Sequence, residues 1–138
     1  MRIMAIDFGD ARTGVAISDP TGLLAGFTAV LPSRNREKLL DALAGLAAEH
    51  RVEELVLGLP RNMDGTEGPR AALCREFAAA LEDRTGLAPV LWDERRSTIE
   101  AHGILHAGGK REKQHKNTVD AVAASLILEG YLRKKRSG

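Results

Sequence analysis

Apolar residues fall first into short runs and only later into helical stripes. Arg2-Ile3-Met4-Ala5-Ile6 is too short for a helix, closes on Asp7, and passes through Gly9 to Gly14 into a second run, Val15-Ala16-Ile17. Two such runs about a glycine-containing connection predict an antiparallel hairpin. Asp19-Pro20-Thr21-Gly22 predicts a turn, and Phe27-Thr28-Ala29-Val30-Leu31 a third strand stopped by Pro32. The period then changes. Leu39, Leu40, Leu43, Leu46 and Ala47 recur at helical spacing behind two candidate caps, Ser33 and Asn35, and His50-Arg51 mark the helix end. Leu55-Val56-Leu57-Gly58-Leu59 is an unbroken apolar run of strand length, as for a strand covered on both faces.

Pro60 ends that strand, and Asn62-Met63-Asp64-Gly65 predicts a turn. A helix from about Pro69 to Arg84 follows, with proline in the favoured first turn, a stripe of Leu73, Phe77, Ala80 and Leu81, and Gly86 as its stop. Pro89-Val90-Leu91-Trp92 reads as the fifth strand, leading into Asp93-Glu94-Arg95. Ser97-Thr98-Ile99-Glu100 is a capping box for a short helix broken at Gly108-Gly109. A basic loop, Lys110 to Lys116, precedes a last helix from Asn117 to about Arg133, with Val119, Val122, Ala123, Leu126 and Ile127 turned inward. The expected fold is α/β: one domain over 1–138, a five-stranded mixed sheet of three antiparallel strands and then two parallel ones, with helices on both faces.

Composition narrows the class. At 43% hydrophobic and 28% charged residues the chain matches an ordinary globular protein, and no apolar run approaches a membrane span or a signal peptide. The single cysteine, Cys74, excludes an internal disulfide and fits the reducing cytoplasm; lying beside an apolar stripe, it reads as a core thiol. Net charge is only +1, yet residues 110–138 carry eight Lys/Arg against three Asp/Glu, while the preceding part is net acidic. A basic end of that kind can meet an anionic partner; for Arg133-Lys134-Lys135-Arg136 the plainer expectation is a solvated, frayed tail beginning at about residue 133.

Three acidic sites fall at comparable places: Asp7 after strand one, Asp93-Glu94 after strand five, and Asp120 in the first turn of the last helix. Strand ends of an α/β sheet share one rim, where ligands bind. Carboxylates gathered there repel unless a divalent cation neutralises them, and an all-oxygen set suits magnesium or manganese. Each site also has a plainer reading: Asp7 as acceptor for its glycine turn, Asp93-Glu94 as a polar connection, Asp120 as compensation of the helix dipole. Strand alternation turns Asp93 and Glu94 to opposite faces. Arg12 is placed either to pair with Asp7 or to hold a phosphate. His102 and His106 stand one helical turn apart but lack a third ligand, and Gly9 to Gly14 does not match the dinucleotide fingerprint.

The ordered set Asp7-x-Gly9-x-x-Arg12-x-Gly14, Gly58-Leu59-Pro60 with Asn62-Met63-Asp64-Gly65-Thr66, Asp93-Glu94-Arg95-x-Ser97-Thr98 and Lys116-x-x-x-Asp120-x-x-Ala123-Ala124 closely resembles the YqgF (RuvX-like) family, from Ile3 to about Tyr131. The resemblance implies an RNase H-like fold similar to that of Holliday junction resolvases. It also implies a nuclease that matures the 5′ end of pre-16S ribosomal RNA, with Asp7, Glu94 and Asp120 as catalytic carboxylates holding one or two Mg2+ or Mn2+ ions. Junction resolvases of this fold take an acidic residue from the end of the fourth strand, where this chain has Gly58-Leu59-Pro60.

Lys110, Arg111, Lys113 and Lys116, with Arg12 and Arg95, are then candidates for substrate phosphates. Aromatic residues make up only 4%, which disfavours a base-stacking platform and favours recognition by shape and backbone. The expected partner is structured RNA, with precursor rRNA implied by the resemblance, and branched or single-stranded DNA as further substrates. The expected protein is a cytoplasmic monomer or homodimer with no membrane partner. A nucleotide-phosphate ATPase of the actin and sugar-kinase type also opens on an Asp-x-Gly hairpin but needs a second comparable domain, and a non-catalytic RNA-binding assembly factor would use the basic loop alone.

Overall fold

The computed structural model describes residues 1–21, 25–93 and 112–137, the last stretch with side chains from Val122 to Lys135. Strands β1 (Arg2–Phe8), β2 (Arg12–Ser18) and β3 (Ala25–Pro32) lead to helix α1 (Arg36–Glu49). Then come β4 (Val52–Leu59), α2 (Pro69–Thr85), β5 (Val90–Asp93) and α3 (Glu112–Ser137). The sheet order is β3-β2-β1-β4-β5. β1 pairs antiparallel with β2 and β2 with β3, whereas β4 runs parallel to both β1 and β5, as the sequence predicts.

Because side chains alternate along a strand, central β1 builds two cores at once. Met4 and Ile6 pack with Val15, Ile17, Leu55 and Leu57 beneath α1 and α2, and Ile3 and Ala5 pack with Ala16 and Val56 beneath α3. A register shift between Ile17 and Ser18 takes Ser18 out of the regular ladder, and its hydroxyl accepts the Ile3 N–H at 2.9 Å. Asn35 caps α1 by accepting from Lys38 N at 3.0 Å. Gly86 closes α2 in the left-handed region at φ 76°. Arg84 near the end of α2 bonds Glu37 and Asp41 of α1 and ties the two helices together.

Four expectations are corrected. On α2 the buried residues are Ala71, Cys74, Phe77 and Leu81, and Leu73 is 46% exposed. Leu73 and Cys74 flank the line of Phe77 one turn earlier on either side, so periodicity does not choose between them; the compact thiol is the one enclosed. The last helix begins at Glu112, so Lys113 and Lys116 belong to helix rather than loop. After Gly109 the run Glu-Lys-Gln-His-Lys contains no breaker and mostly strong helix formers. Helix also continues through Ser137, so the basic end is no frayed tail. The helix's contribution to the second core is Ala124, Ile127, Leu128, Tyr131 and Leu132, while Val122 and Ala123 are only half-buried. The capping-box helix at 97–108, with His102 and His106, lies outside the described residues.

The end of α3 is fastened by charge. Tyr131 Oη donates to one oxygen of Glu54, and Lys135 Nζ lies 2.6 Å from the other. Burial alone would raise the Glu54 carboxyl, but the Lys135 and Tyr131 hydrogen bonds and the ammonium charge outweigh it and hold it below its ordinary value. Tyr131 is pushed up to about 12 by burial first, then by its bond to Glu54 and that carboxylate's charge. A depressed carboxylate stabilises above its unfolded pKa and loses this as pH falls. A raised phenol stabilises below its unfolded value of about 10 and loses it as pH climbs toward 12. Tyr131→Phe is therefore expected to flatten the alkaline limb of the melting temperature against pH between about 10 and 12, while an acid limb remains. An unchanged alkaline limb would rule the linkage out.

Candidate active site

Asp7 stands one residue before the end of β1, on the face of the sheet that α3 covers, because Ile3 and Ala5 share that parity. Its pair on β2 is Gly14. On β4, the last pair is Ile6 with Leu57, so the next residue, Gly58, follows beside Asp7 and shares the face of Val56. Both neighbouring strands thus present glycine, and no side chain from either crowds the carboxylate. Asp7 is half-buried, and among the described residues no hydrogen bond or ion pair engages its carboxylate, Arg12 included. The glycine turn therefore does not satisfy it.

The turn after Asp7 is held from outside. A Cβ on Gly9 would lie 2.3 Å from the Arg12 carbonyl oxygen, so only glycine fits this turn. Arg70, in the first turn of α2, donates to the Asp10 carboxylate and to the Phe8 carbonyl, and its guanidinium carbon sits 5.0 Å from the Phe8 ring centre. On α2 the Phe77 ring stacks on Phe8 with centroids 4.0 Å apart. The residues flanking Asp7 are thus braced by α2 on the opposite face of the sheet. Sequence reasoning missed Arg70 because its partner Asp10 lies 60 positions away and no local spacing links them.

Arg12 opens β2, half-buried, on the same face as Gly14 and Ala16. Asp93 ends β5 beyond Leu91, which packs on the α1–α2 core, and Trp92, which packs on the α3 core. Alternation therefore sets Asp93 on the face away from Asp7. Glu94, Arg95, Lys110 and Arg111 lie outside the described residues. Lys113, Lys116 and Asp120 are within the backbone of α3, Asp120 four residues before the buried Ala124. Among the described residues no three His, Cys, Asp or Glu side chains converge as a metal site, and no helix is long and apolar enough to cross a membrane.

The same rim carries the β4–α2 connection, closed by Asn62 N to Thr66 O at 2.8 Å and Thr66 N to Asp64 Oδ1 at 3.0 Å. Glu67 accepts from Arg75 Nε at 2.8 Å and Nη2 at 2.6 Å, with Arg61 farther off at 3.7 Å. The Arg75 hydrogen bonds hold the Glu67 carboxyl below its ordinary value. Beside this loop a cavity of about 540 Å³ opens between Arg61, Leu91, Trp92, Asp93 and Lys134.

A central strand ending in a carboxylate, three antiparallel strands, two parallel ones and a covering C-terminal helix define an RNase H-like protein. Solved structures agree on the fold. RuvC of T. thermophilus in complex with a Holliday junction substrate superposes with TM-score 0.64 at 12% identity, covering 98% of this chain and 96% of that one. The Fowlpox virus resolvase, bound to Holliday junction DNA, gives 0.59 at 14% identity, covering 98% and 99%. The profile of the family described as "RuvX: Holliday junction resolvase" matches residues 1–134. A relative from Carboxydothermus hydrogenoformans named "Putative pre-16S rRNA nuclease" is 44% identical over 135 residues, 98% of each chain. A second of the same name, from Myxococcus xanthus, is 43% identical, covering 99% of this chain and 90% of its own. The chain belongs to the RuvX family.

Proposed function

We propose that this protein is a cytoplasmic nuclease that hydrolyses phosphodiester bonds in precursor 16S ribosomal RNA, with one or two magnesium or manganese ions held by Asp7, Glu94 and Asp120. The observation that carries the reading is the Asp7 carboxylate, half-buried at the end of the central strand, flanked by glycines and unsatisfied by the described residues. A carboxylate withdrawn from water costs free energy unless a cation or donor compensates it, and a hard oxygen donor suits magnesium or manganese. When bound, such ions polarise the phosphate and make the attacking water more acidic.

Helix direction supports Asp120 as a partner of Asp7. The last turns of α3 bond Glu54, which pairs with Ile3 near the start of β1. From Tyr131 back to Asp120 the helix spans about 16 Å, and from Ile3 to Asp7 the strand spans about 13 Å. A helix laid antiparallel to β1 therefore brings residue 120 to the height of Asp7. In this reading Asp7, hydrogen-bonded into a strand with neighbours on both sides, is the ligand least able to move. Arg70 keeps its strand end in place, and Arg12 holds a substrate phosphate. Arg95, Lys110, Arg111, Lys113 and Lys116 bind the backbone of the RNA without reading its sequence.

Labelled precursor 16S rRNA and a four-way DNA junction, each incubated with magnesium, manganese or chelator, test the proposal. Cleavage of the RNA that stops in chelator is expected. The family description and the RuvC-like fold favour a second reading, junction resolution; cleavage of the junction alone would establish it. The apolar end of β4, Leu57-Gly58-Leu59, offers no acidic ligand and weighs for RNA. RNA bound but never cut would leave an assembly factor. Neutralising Lys110, Arg111, Lys113 and Lys116 together is expected to weaken RNA binding and flatten its salt dependence by about one unit of slope per lost phosphate contact. A binding isotherm with unchanged slope would move the binding surface elsewhere.

A further inference from the structure

We propose that the cavity at the β5 edge is a subsite for one nucleotide of the RNA strand, a nucleotide or two from the bond that is cut. This inference rests on the nuclease reading and adds to it the path of the substrate. β5 is separated from β1 only by β4, and Trp92 pairs with Gly58, the residue beside Asp7, so at ordinary strand spacing the Trp92 backbone lies about 10 Å across the sheet from Asp7. That distance is within the reach of an extended strand lying along the rim. A volume of about 540 Å³ is ample for a nucleotide.

The lining has the chemistry of such a ligand. Lys134 and Arg61 contribute two cations from different elements, α3 and the β4–α2 connection. Arg61 is the looser partner of Glu67, at 3.7 Å against 2.6 Å for Arg75, so turning to a phosphate would not strand that carboxylate. Lys134 Nζ is held 5.9 Å from the centre of the Trp92 ring. Trp92 forms a fixed wall. Its ring meets the edge of Tyr131 at 6.0 Å, and a Cβ on Gly130 would already be 3.0 Å from its Cζ2. The Asp93 carboxylate in the same cavity disfavours a bare phosphate ion but accepts from a ribose hydroxyl or an amine of a base. Two cations, one acceptor and an aromatic wall recognise a nucleotide as a whole.

Trp92 is the chain's only tryptophan, so its fluorescence reads this wall alone. A fluorescein-labelled RNA pentamer is titrated by anisotropy, and the unlabelled pentamer by Trp92 emission, both in chelator so that nothing is cut. A saturable change in emission with the same half-point as the anisotropy is expected. Arg61→Ala and Lys134→Ala should each raise that half-point about tenfold and lower the salt slope by about one. Both side chains are exposed, and melting curves will show that the variants are folded. Binding by anisotropy with silent Trp92 emission, parental affinity in both variants, or no binding at all overturns the subsite. Cleavage of precursor RNA with metal is scored separately. Cleavage with silent Trp92 removes the subsite and keeps the nuclease, whereas an emission response without cleavage does the reverse.

Discussion

Asp7→Asn is expected to abolish metal-dependent cleavage while leaving the protein folded. The asparagine side chain has the same shape, and no described hydrogen bond or ion pair is broken. What disappears is the charge that would hold the cation. Metal catalysis is worth several kcal/mol of transition-state stabilisation, so at about 1.4 kcal/mol per decade a loss of about three orders of magnitude in rate is expected. The melting temperature should hold, since the half-buried Asp7 carboxylate has no described partner to lose. Retained RNA affinity with lost cleavage separates catalysis from assembly. Parental cleavage by the variant would defeat the assignment of Asp7. ATP turnover that disappears in the variant and ignores RNA would instead favour a kinase-like reading.

Phe77→Ala should produce the largest loss of stability. Phe77 is fully buried between the sheet and α1, stacked on Phe8 and approached by Arg36 at 5.9 Å. Removing such a ring costs about 3–5 kcal/mol through lost transfer energy and the cavity left behind, against a total of about 5–15 kcal/mol for a typical domain. The urea midpoint should fall sharply with the slope retained. Because Phe8 adjoins Asp7, the folded fraction should also cleave more slowly than its concentration accounts for. Phe77→Leu, which keeps most of the volume, should cost less than about 1.5 kcal/mol. A loss below that figure for the alanine variant would show that the neighbours collapse into the space.

How much of this was legible in the sequence depends on how local the cause is. β1, β2 and β4 announced themselves because their apolar runs are bounded by Asp7, Gly9, Gly14 and Pro60, which act on their own backbone. Asn35 and Gly86 are equally local signals, and both cap their helices as expected. The phase of α2 was not legible, because choosing between Leu73 and Cys74 needs the space left by the sheet. Nor was the onset of α3, since a charged run without breakers is equally polar in loop and helix. At the candidate site, the position of Asp7 near a strand end was legible because the apolar run before it is local. Arg70, which braces the next three residues, was invisible because only the folded chain brings α2 to the β1–β2 turn. Lys134 was read as part of a solvated tail, yet it lies against Trp92 once α3 is laid on the sheet.

Cys74 sits 1% exposed in the contact between α2 and the sheet, and it is the only sulfhydryl in the chain. A thiol enclosed at that level meets a reagent in solution only when α2 lifts away. Its modification rate is therefore a stopwatch for that opening: where reclosing outpaces the reagent, it reports the equilibrium population of the opened form rather than the chemistry of the sulfur. The same brace of Phe8 on Phe77 and Arg70 on Asp10 links that opening to the Asp7 end of β1. Anything that clamps the rim should slow the stopwatch, although no ligand atom comes near the sulfur.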